Sequence, residues 1–567
     1  MPKAETKKRA KAMHKFGGAL NLPSKFWTRF TYSRCDADAL HANLPMPRLK
    51  RFAHSLASGY VLLGAHTAYT LVSIPLAFRF LSEAEFGLWA LTTQLAGYLA
   101  LLDFGMSGAI MRILIDFKDD RTERNYGSVI LTGFLVNVLQ GGLILGFSLA
   151  ASFALGPLLL IPLELRDEFQ GLVIWQGVLL SANLLIRPAT MILSAHQRYD
   201  WVNYPQAAGF GVNFGVLWMG FALGQSVWAM IWAQAAAQIV ATAFNVWGCC
   251  RLKLLPSREE WGRPNWSRFR DLFSFGRDMF LYMLGNQLIN ASQTILITRL
   301  IGLEAGAVWS VCTRVFILMT QLIMRLFDYS CAALSEMLVR QEKQRLFARF
   351  RSIVLTSGSV SVVAGLGLAI GNQPFVEWWT GGKLSWPAVN DWLLAVWLPI
   401  LVMVRCHTGL AGLTKEFRFM RYLYFVEGLV FVSVAWIGLR YGGMTTMLML
   451  SILCSLVFSY PYSILRTANM FGLEWITVAA QWMGPSFRLA ILLAPAALVA
   501  AWTTKSLPPT ARLAICAGVV GCLGAYLLPR WGLDQGLRRE LIERIPQRLR
   551  WLRPCLGALE TPSFPPR

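Results

Sequence analysis

The sequence predicts an all-α polytopic membrane protein of about fourteen transmembrane helices, built as two parallel six-helix repeats plus two C-terminal helices. Three observations predict it. Apolar runs of about 20 residues, enough to cross a bilayer as a helix, recur along the chain. Basic residues gather in alternate loops between those runs. Shifting the chain by 220 positions lays the first six runs on the next six.

Of the 567 residues, 55% are hydrophobic and 15% charged, with a mean hydropathy of +0.47. A net charge of +22 can signal nucleic-acid binding, but here it sits in short loops. That is the distribution of a cytoplasmic membrane face, so no nucleic-acid partner is expected. Eight of the ten cysteines, among them Cys312, Cys406 and Cys454, lie in or beside the apolar runs. Without a CxxC pair or a Cys/His cluster they read as small membrane residues, not metal ligands.

Residues 1–50 form a basic polar tail without a signal-peptide core, and Met46, just before PRLKRFAHSLASGY, is an alternative start. The expected spans are 55–79, 86–110, 128–153, 169–193, 204–223, 226–249, 277–299, 305–333, 351–371, 391–413, 421–440, 444–465, 487–504 and 511–528. They divide the chain into a six-helix lobe at 51–270, a second at 271–470, two extra helices at 471–530 and a basic tail at 531–567. One set of loops holds Lys118, Arg121, Arg124, Arg198, seven cations from Arg251 to Arg277, five from Arg340 to Arg351, Lys415, Arg418, Arg421 and Arg466. The opposite set offers little beyond Arg166, Lys383, Arg440 and Lys505. Positive-inside bias therefore places both termini in the cytoplasm.

In the 220-residue register Arg79 meets Arg299, Trp89 meets Trp309, and Leu193, Arg198 and Tyr204 meet Leu413, Arg418 and Tyr424. Six is even, so both repeats start on the same membrane face, a transporter design with its substrate route between halves. Asn286, Asn290 and Gln293 form a polar stripe at i, i+4 and i+7 in the seventh span. Their mates 220 positions earlier are His66, Thr70 and Ser73. Such stripes either glue helices together or line a cavity; their recurrence at symmetry-related sites favours a cavity.

The eighth span carries Arg314, Gln321, Arg325 and Asp328, spaced by seven, four and three residues, which is one stripe of a helix. Arg325 and Asp328 can neutralise each other, whereas Arg314 has no near partner in its own helix. A cationic stripe inside a membrane protein suggests a path for an anion. Asp103 and Arg112 near a span end can snorkel to water. Arg187 precedes Pro188 and could satisfy the carbonyl that a proline frees. Arg405, His407 and Glu427 are further intramembrane polar groups; Glu427 is either an ion-pair partner or an acid that carries a coupled cation.

No phosphate-binding lysine loop, GxGxxG, GxSxG or HExxH motif occurs. The longest external loop, 372–390, is short and tryptophan-rich, as expected of a membrane-interface belt. No enzyme, cofactor or metal is expected.

The segments FGLWALTTQLAGYLALLDFGMSGAIMR (86–112) and GLEAGAVWSVCTRVFILMTQLIMRLFDYSCAALSE (302–336) resemble the O-antigen type polysaccharide flippases of the multidrug/oligosaccharidyl-lipid/polysaccharide exporter superfamily. The likeness covers about 55–470. It implies two six-helix lobes around a cationic cavity, working by alternating access in the bacterial cytoplasmic membrane. Its implied substrate is an undecaprenyl-pyrophosphate-linked glycan moved to the outer leaflet and coupled to an ion gradient, with polysaccharide polymerase or assembly proteins as neighbours. On this expectation Arg314, Arg325, Arg405 and Arg187 contact the headgroup, since arginine binds phosphate through a planar fork. His66, Thr70, Asn286, Asn290, Gln293 and Gln321 line the polar route, and Asp328 or Glu427 is the coupling acid. The competing expectations are a drug/cation antiporter, which an acidic cavity would suit better, and a non-transporting scaffold of a glycan assembly complex.

Overall fold

The computed structural model describes residues 46–117, 124–257, 259–414, 418–534, 536 and 538. Residues 1–45 and 539–567, most of both basic tails, therefore lie outside the described residues, as do Lys118, Arg121 and Lys415 of the inner loops. By its contacts the chain divides into Met1–Ser58 and a second compact unit, Gly59–Arg567, which contains the membrane-spanning architecture.

Every regular element among the described residues is helical. In chain order the first repeat is α1 Met46–Phe80, α2 Glu83–Leu99, α3 Met106–Phe117, α4 Asn125–Leu158, α5 Arg166–Ala195, α6 Asp200–Ala222 and α7 Trp228–Arg251. The second is α8 Trp266–Asn290, α9 Ser292–Leu300, α10 Leu303–Cys312, α11 Arg314–Val339, α12 Lys343–Thr380, α13 Ala388–Leu413, α14 Arg418–Val457 and α15 Ser459–Phe471. Two more follow, α16 Trp475–Thr503 and α17 Pro509–Leu527.

The 220-residue register holds at the level of helix ends. Adding 220 to Met46–Phe80 gives 266–300, the start of α8 and the end of α9. Adding it to Asn125–Leu158 gives 345–378, inside α12, and to Arg251 gives 471, the last residue of α15. Ten helical stretches among the described residues are long and apolar enough to cross a membrane, fewer than the fourteen expected. The second expected span is interrupted by a 3-10 turn at Ala100–Asp103 and by left-handed Phe104. The seventh breaks at Ala291, and the eleventh and twelfth run together in one stretch kinked at Gly443. Helix α6, which covers all but the last residue of the fifth, carries Asp200, Asn203, Gln206 and Asn213.

Equivalent turns open the second and eighth spans with different chemistry. Ser82 caps α2 in a capping box: it accepts from the Glu85 amide at 3.2 Å while the Glu85 carboxylate accepts from the Ser82 amide at 2.7 Å. Its mate, Gly302, precedes α10 at φ 135, a conformation only glycine adopts without strain. Here the repeats meet. A Cβ on Gly87 would lie 2.0 Å from the Leu303 carbonyl oxygen, so α2 and α10 touch backbone to backbone.

Within a repeat, small residues and side-chain hydroxyls hold the helices, as expected where lipid removes the hydrophobic drive. Ser148 donates to the Val173 carbonyl at 2.6 Å and Ser181 to that of Gly141 at 2.7 Å. The tryptophan-rich outer segment departs from expectation. Helix α12 continues to Thr380, and both Trp379 and Trp386 are buried. The indole of Trp379 donates to the Leu71 carbonyl of α1, and Lys383 reaches the Phe78 carbonyl of the same helix. Those groups tie the second repeat to the first.

Candidate functional site

The site begins at a helix break. Thr313 separates α10 from α11, its hydroxyl turned back to the Trp309 carbonyl at 2.7 Å, and Arg314 opens the new helix. Its guanidinium leaves the second repeat: Nη2 donates to Thr70 Oγ1 of α1 at 3.2 Å, and Nε is buried without a partner. One turn earlier on α1, His66 rests against the Phe210 ring at 5.2 Å. Arg314 and Thr70 thus meet, with His66 a turn away on the helix that Arg314 touches.

Further along the stripe of α11, Gln321 and Arg325 are exposed. Arg325 makes no ion pair with Asp328, contrary to one sequence expectation. Asp328 instead accepts from Arg405 Nη2 of α13 at 2.7 Å, with side chains 35% and 41% exposed. Two residues expected in different roles, coupling acid and headgroup contact, are therefore partners. Arg187 is also paired. It does not serve a proline-freed carbonyl but bonds Ser107 at 2.6 Å and lies 3.4 Å from Asp103. The side chain of Arg112 lies outside the described residues.

The stripe of the seventh span is unevenly placed: Asn290 is exposed, Asn286 half-buried and Gln293 buried. Asn290 turns its amide back to Asn286, at 2.9 Å to the carbonyl and 2.6 Å to the side chain. Gln293 is buried and donates to Ser451 at 3.4 Å. The helix is interrupted at Ala291, between Asn290 and Gln293, although Ala291 keeps right-handed helical dihedrals. His407 is buried, its Nδ1 2.8 Å from the Thr467 hydroxyl and its ring stacked on Trp482; it shares no role with its register mate Arg187.

Glu427 is buried in α14. One carboxylate oxygen accepts from Ser459 at 3.1 Å and the other has no partner. A second buried acid, Asp391 in the first turn of α13, is not singled out by the sequence. It accepts from Asn372 at 2.7 Å and from Trp386 at 3.0 Å, and its other oxygen is unpartnered. In sequence it looks like an interfacial residue; only the folding of Trp386 over it shows otherwise. Asp103 looks interfacial for the same reason, and Arg187 on a neighbouring helix is the signal that points to its pairing.

Outside the expected spans, Arg198 lies in the turn before α6 and Asp200 opens that helix. Burial alone would push the Asp200 carboxyl up, but the two-pronged bond from Arg198 at 3.0 and 2.9 Å outweighs it and holds the group below its ordinary range. Among the described residues no cluster of three or more His, Cys, Asp or Glu could hold a metal. What the arrangement offers is guanidinium groups in both repeats, some free of acids and some neutralised.

Residues 76–386, more than half of the chain, match the family model described as "Polysaccharide biosynthesis protein". No curated protein matches the sequence. The fold is similar to that of an inward-facing multidrug resistance MATE family transporter of the MOP superfamily, at 14% identity, covering 71% of this chain and 95% of that one, with a TM-score of 0.59. It is also similar to the lipid II flippase MurJ in an inward closed conformation, at 11% identity, covering 85% and 99%, with a TM-score of 0.61. A MATE in complex with MaL6 gives 15% identity, coverage of 74% and 96%, and a TM-score of 0.54. At these identities the likeness concerns the fold.

Proposed function

The chain belongs to the polysaccharide biosynthesis protein family, and on that premise we propose that it is a flippase for undecaprenyl-pyrophosphate-linked oligosaccharide. It carries the repeat unit from the cytoplasmic to the outer leaflet of the bacterial cytoplasmic membrane, without catalysis. A flippase named for lipid II shares the fold, which supports a lipid-linked cargo. The observation that carries the reading is Arg314, whose guanidinium reaches from one repeat to the other with no acid among the described residues to neutralise it. An unpaired cation in that position is costly unless an anion visits it. A pyrophosphate supplies the anion, and its lipid tail stays in the bilayer. Arg325, exposed on the same stripe, extends the cationic path. Glu427, with a free buried oxygen, is the coupling acid, and Asp328, already paired, is not.

The test is surface glycan display in a strain deleted for the chain, complemented by wild type or Arg314→Ala at matched membrane levels. Lost display with lipid-linked precursor accumulating on the inner side, restored by wild type alone, supports the reading. Unchanged display and precursor in the deletion strain overturns it.

A further inference from the structure

Each repeat carries an arginine–aspartate pair, and the two pairs occupy equivalent seams. Arg187 of α5 faces Asp103 in the second expected span; Arg405 of α13 faces Asp328 in the eighth. Helices α5 and α13 are register mates, as are those two spans. Yet the arginines are 218 positions apart (405 − 187) and the aspartates 225 (328 − 103), not 220. The seam repeats its pairing without repeating its residues. Arg314, one end of the stripe that Asp328 shares, has no such partner among the described residues.

We propose that Asp328 and Asp103 compete with the anionic headgroup for Arg405 and Arg187, so that cargo enters by ion exchange and leaves when the carboxylates return. The proposal rests on the flippase reading and adds these acids to that site. Phosphate and carboxylate use the same donor fork of arginine, so one can replace the other on a guanidinium. Exchange requires that the displaced acid not be stranded, because an unpaired buried charge is costly. Asp328 is 35% exposed, so it is not sealed inside the protein when its partner leaves. Asp103 is only 14% exposed, but it already accepts from the Ser107 hydroxyl at 2.5 Å, and that hydroxyl also accepts from Arg187. Ser107 keeps its hold when the arginine leaves. The pairs also neutralise two cations while the route is empty, and they supply a competitor that prevents a multivalent anion from binding irreversibly.

The purified full chain in nanodiscs, titrated with inorganic pyrophosphate, tests this. Asp328→Asn keeps the side chain's shape and removes the competing charge. Binding should tighten about fivefold, the worth of a half-exposed ion pair, while lipid-linked precursor moves more slowly because release is slowed. Asp103→Asn should tighten binding less, since Ser107 still occupies Arg187. Arg405→Ala should weaken binding. If Asp328→Asn leaves pyrophosphate affinity unchanged or weakens it as Arg405→Ala does, the pair is structural and exchange is overturned. Absence of pyrophosphate binding to wild type also overturns exchange, while the display assay decides the flippase reading separately.

Discussion

The indole Nε1 of Trp379 donates to the backbone carbonyl of Leu71 at 2.6 Å, joining residues 308 positions apart and in opposite repeats. A buried donor that loses its acceptor, or the reverse, costs about 1–3 kcal/mol. Trp379→Phe keeps an aromatic ring but leaves the Leu71 carbonyl unserved. A lower melting temperature in detergent is expected, with Trp378→Phe, an exposed neighbour, as the unchanged control.

Arg314→Lys separates charge from geometry. Lysine keeps the positive charge without the planar fork, so it cannot grip a phosphate with two parallel bonds as arginine does. Glycan display is expected to fall by about tenfold with Lys and further with Ala, at unchanged membrane abundance.

Gly87→Ala adds a Cβ that would lie 2.0 Å from the Leu303 oxygen, a position backbone cannot yield cheaply. Overpacking of this kind costs about 1–3 kcal/mol. The melting temperature should fall sharply, whereas Gly142→Ala, with open space around it, should be silent.

Asp200, held below its ordinary range by Arg198, stabilises the start of α6 at any pH above the unfolded carboxyl's own value of about 3.9. That contribution is lost as pH falls through the lower folded value. The protection factors of the Trp201 and Val202 amides, measured against the intrinsic exchange rate at each pH, should fall in acid, and in Asp200→Asn they should be low at every pH.

Glu427→Gln keeps the bond from Ser459 and removes the titrating charge. Transport should lose its response to an imposed ion gradient while pyrophosphate binding stays near wild type. Retained gradient dependence would move coupling to Asp391, a second fully buried acid with an unpartnered oxygen.

The all-helical membrane fold and the repeat were legible because each rests on many residues: runs of about 20 apolar positions and a gapless shift. The partners were not. Spacing along α11 put Arg325 and Asp328 on one stripe, yet Asp328 pairs with Arg405 from another helix at 2.7 Å. Local spacing says which face a side chain shares and nothing about what stands opposite. The interruption of the seventh span at Ala291 was not marked either, since no proline stands there. Asp391 was hidden because burial there is made by Trp386, a residue five positions earlier that reads as a surface aromatic.

The contact of Gly87 with Leu303 has a mechanical consequence. Two main chains that already touch cannot draw closer, so the helices bearing them can change their relation there only by pivoting or by sliding. A pivot near one face of the bilayer makes the rest of each helix a lever arm. Turning by about 10° on an arm of roughly 30 Å, the thickness of the hydrocarbon layer, sweeps the far end through about 5 Å. A fulcrum with no side chain between its two surfaces converts small angular play into the width of a pyrophosphate.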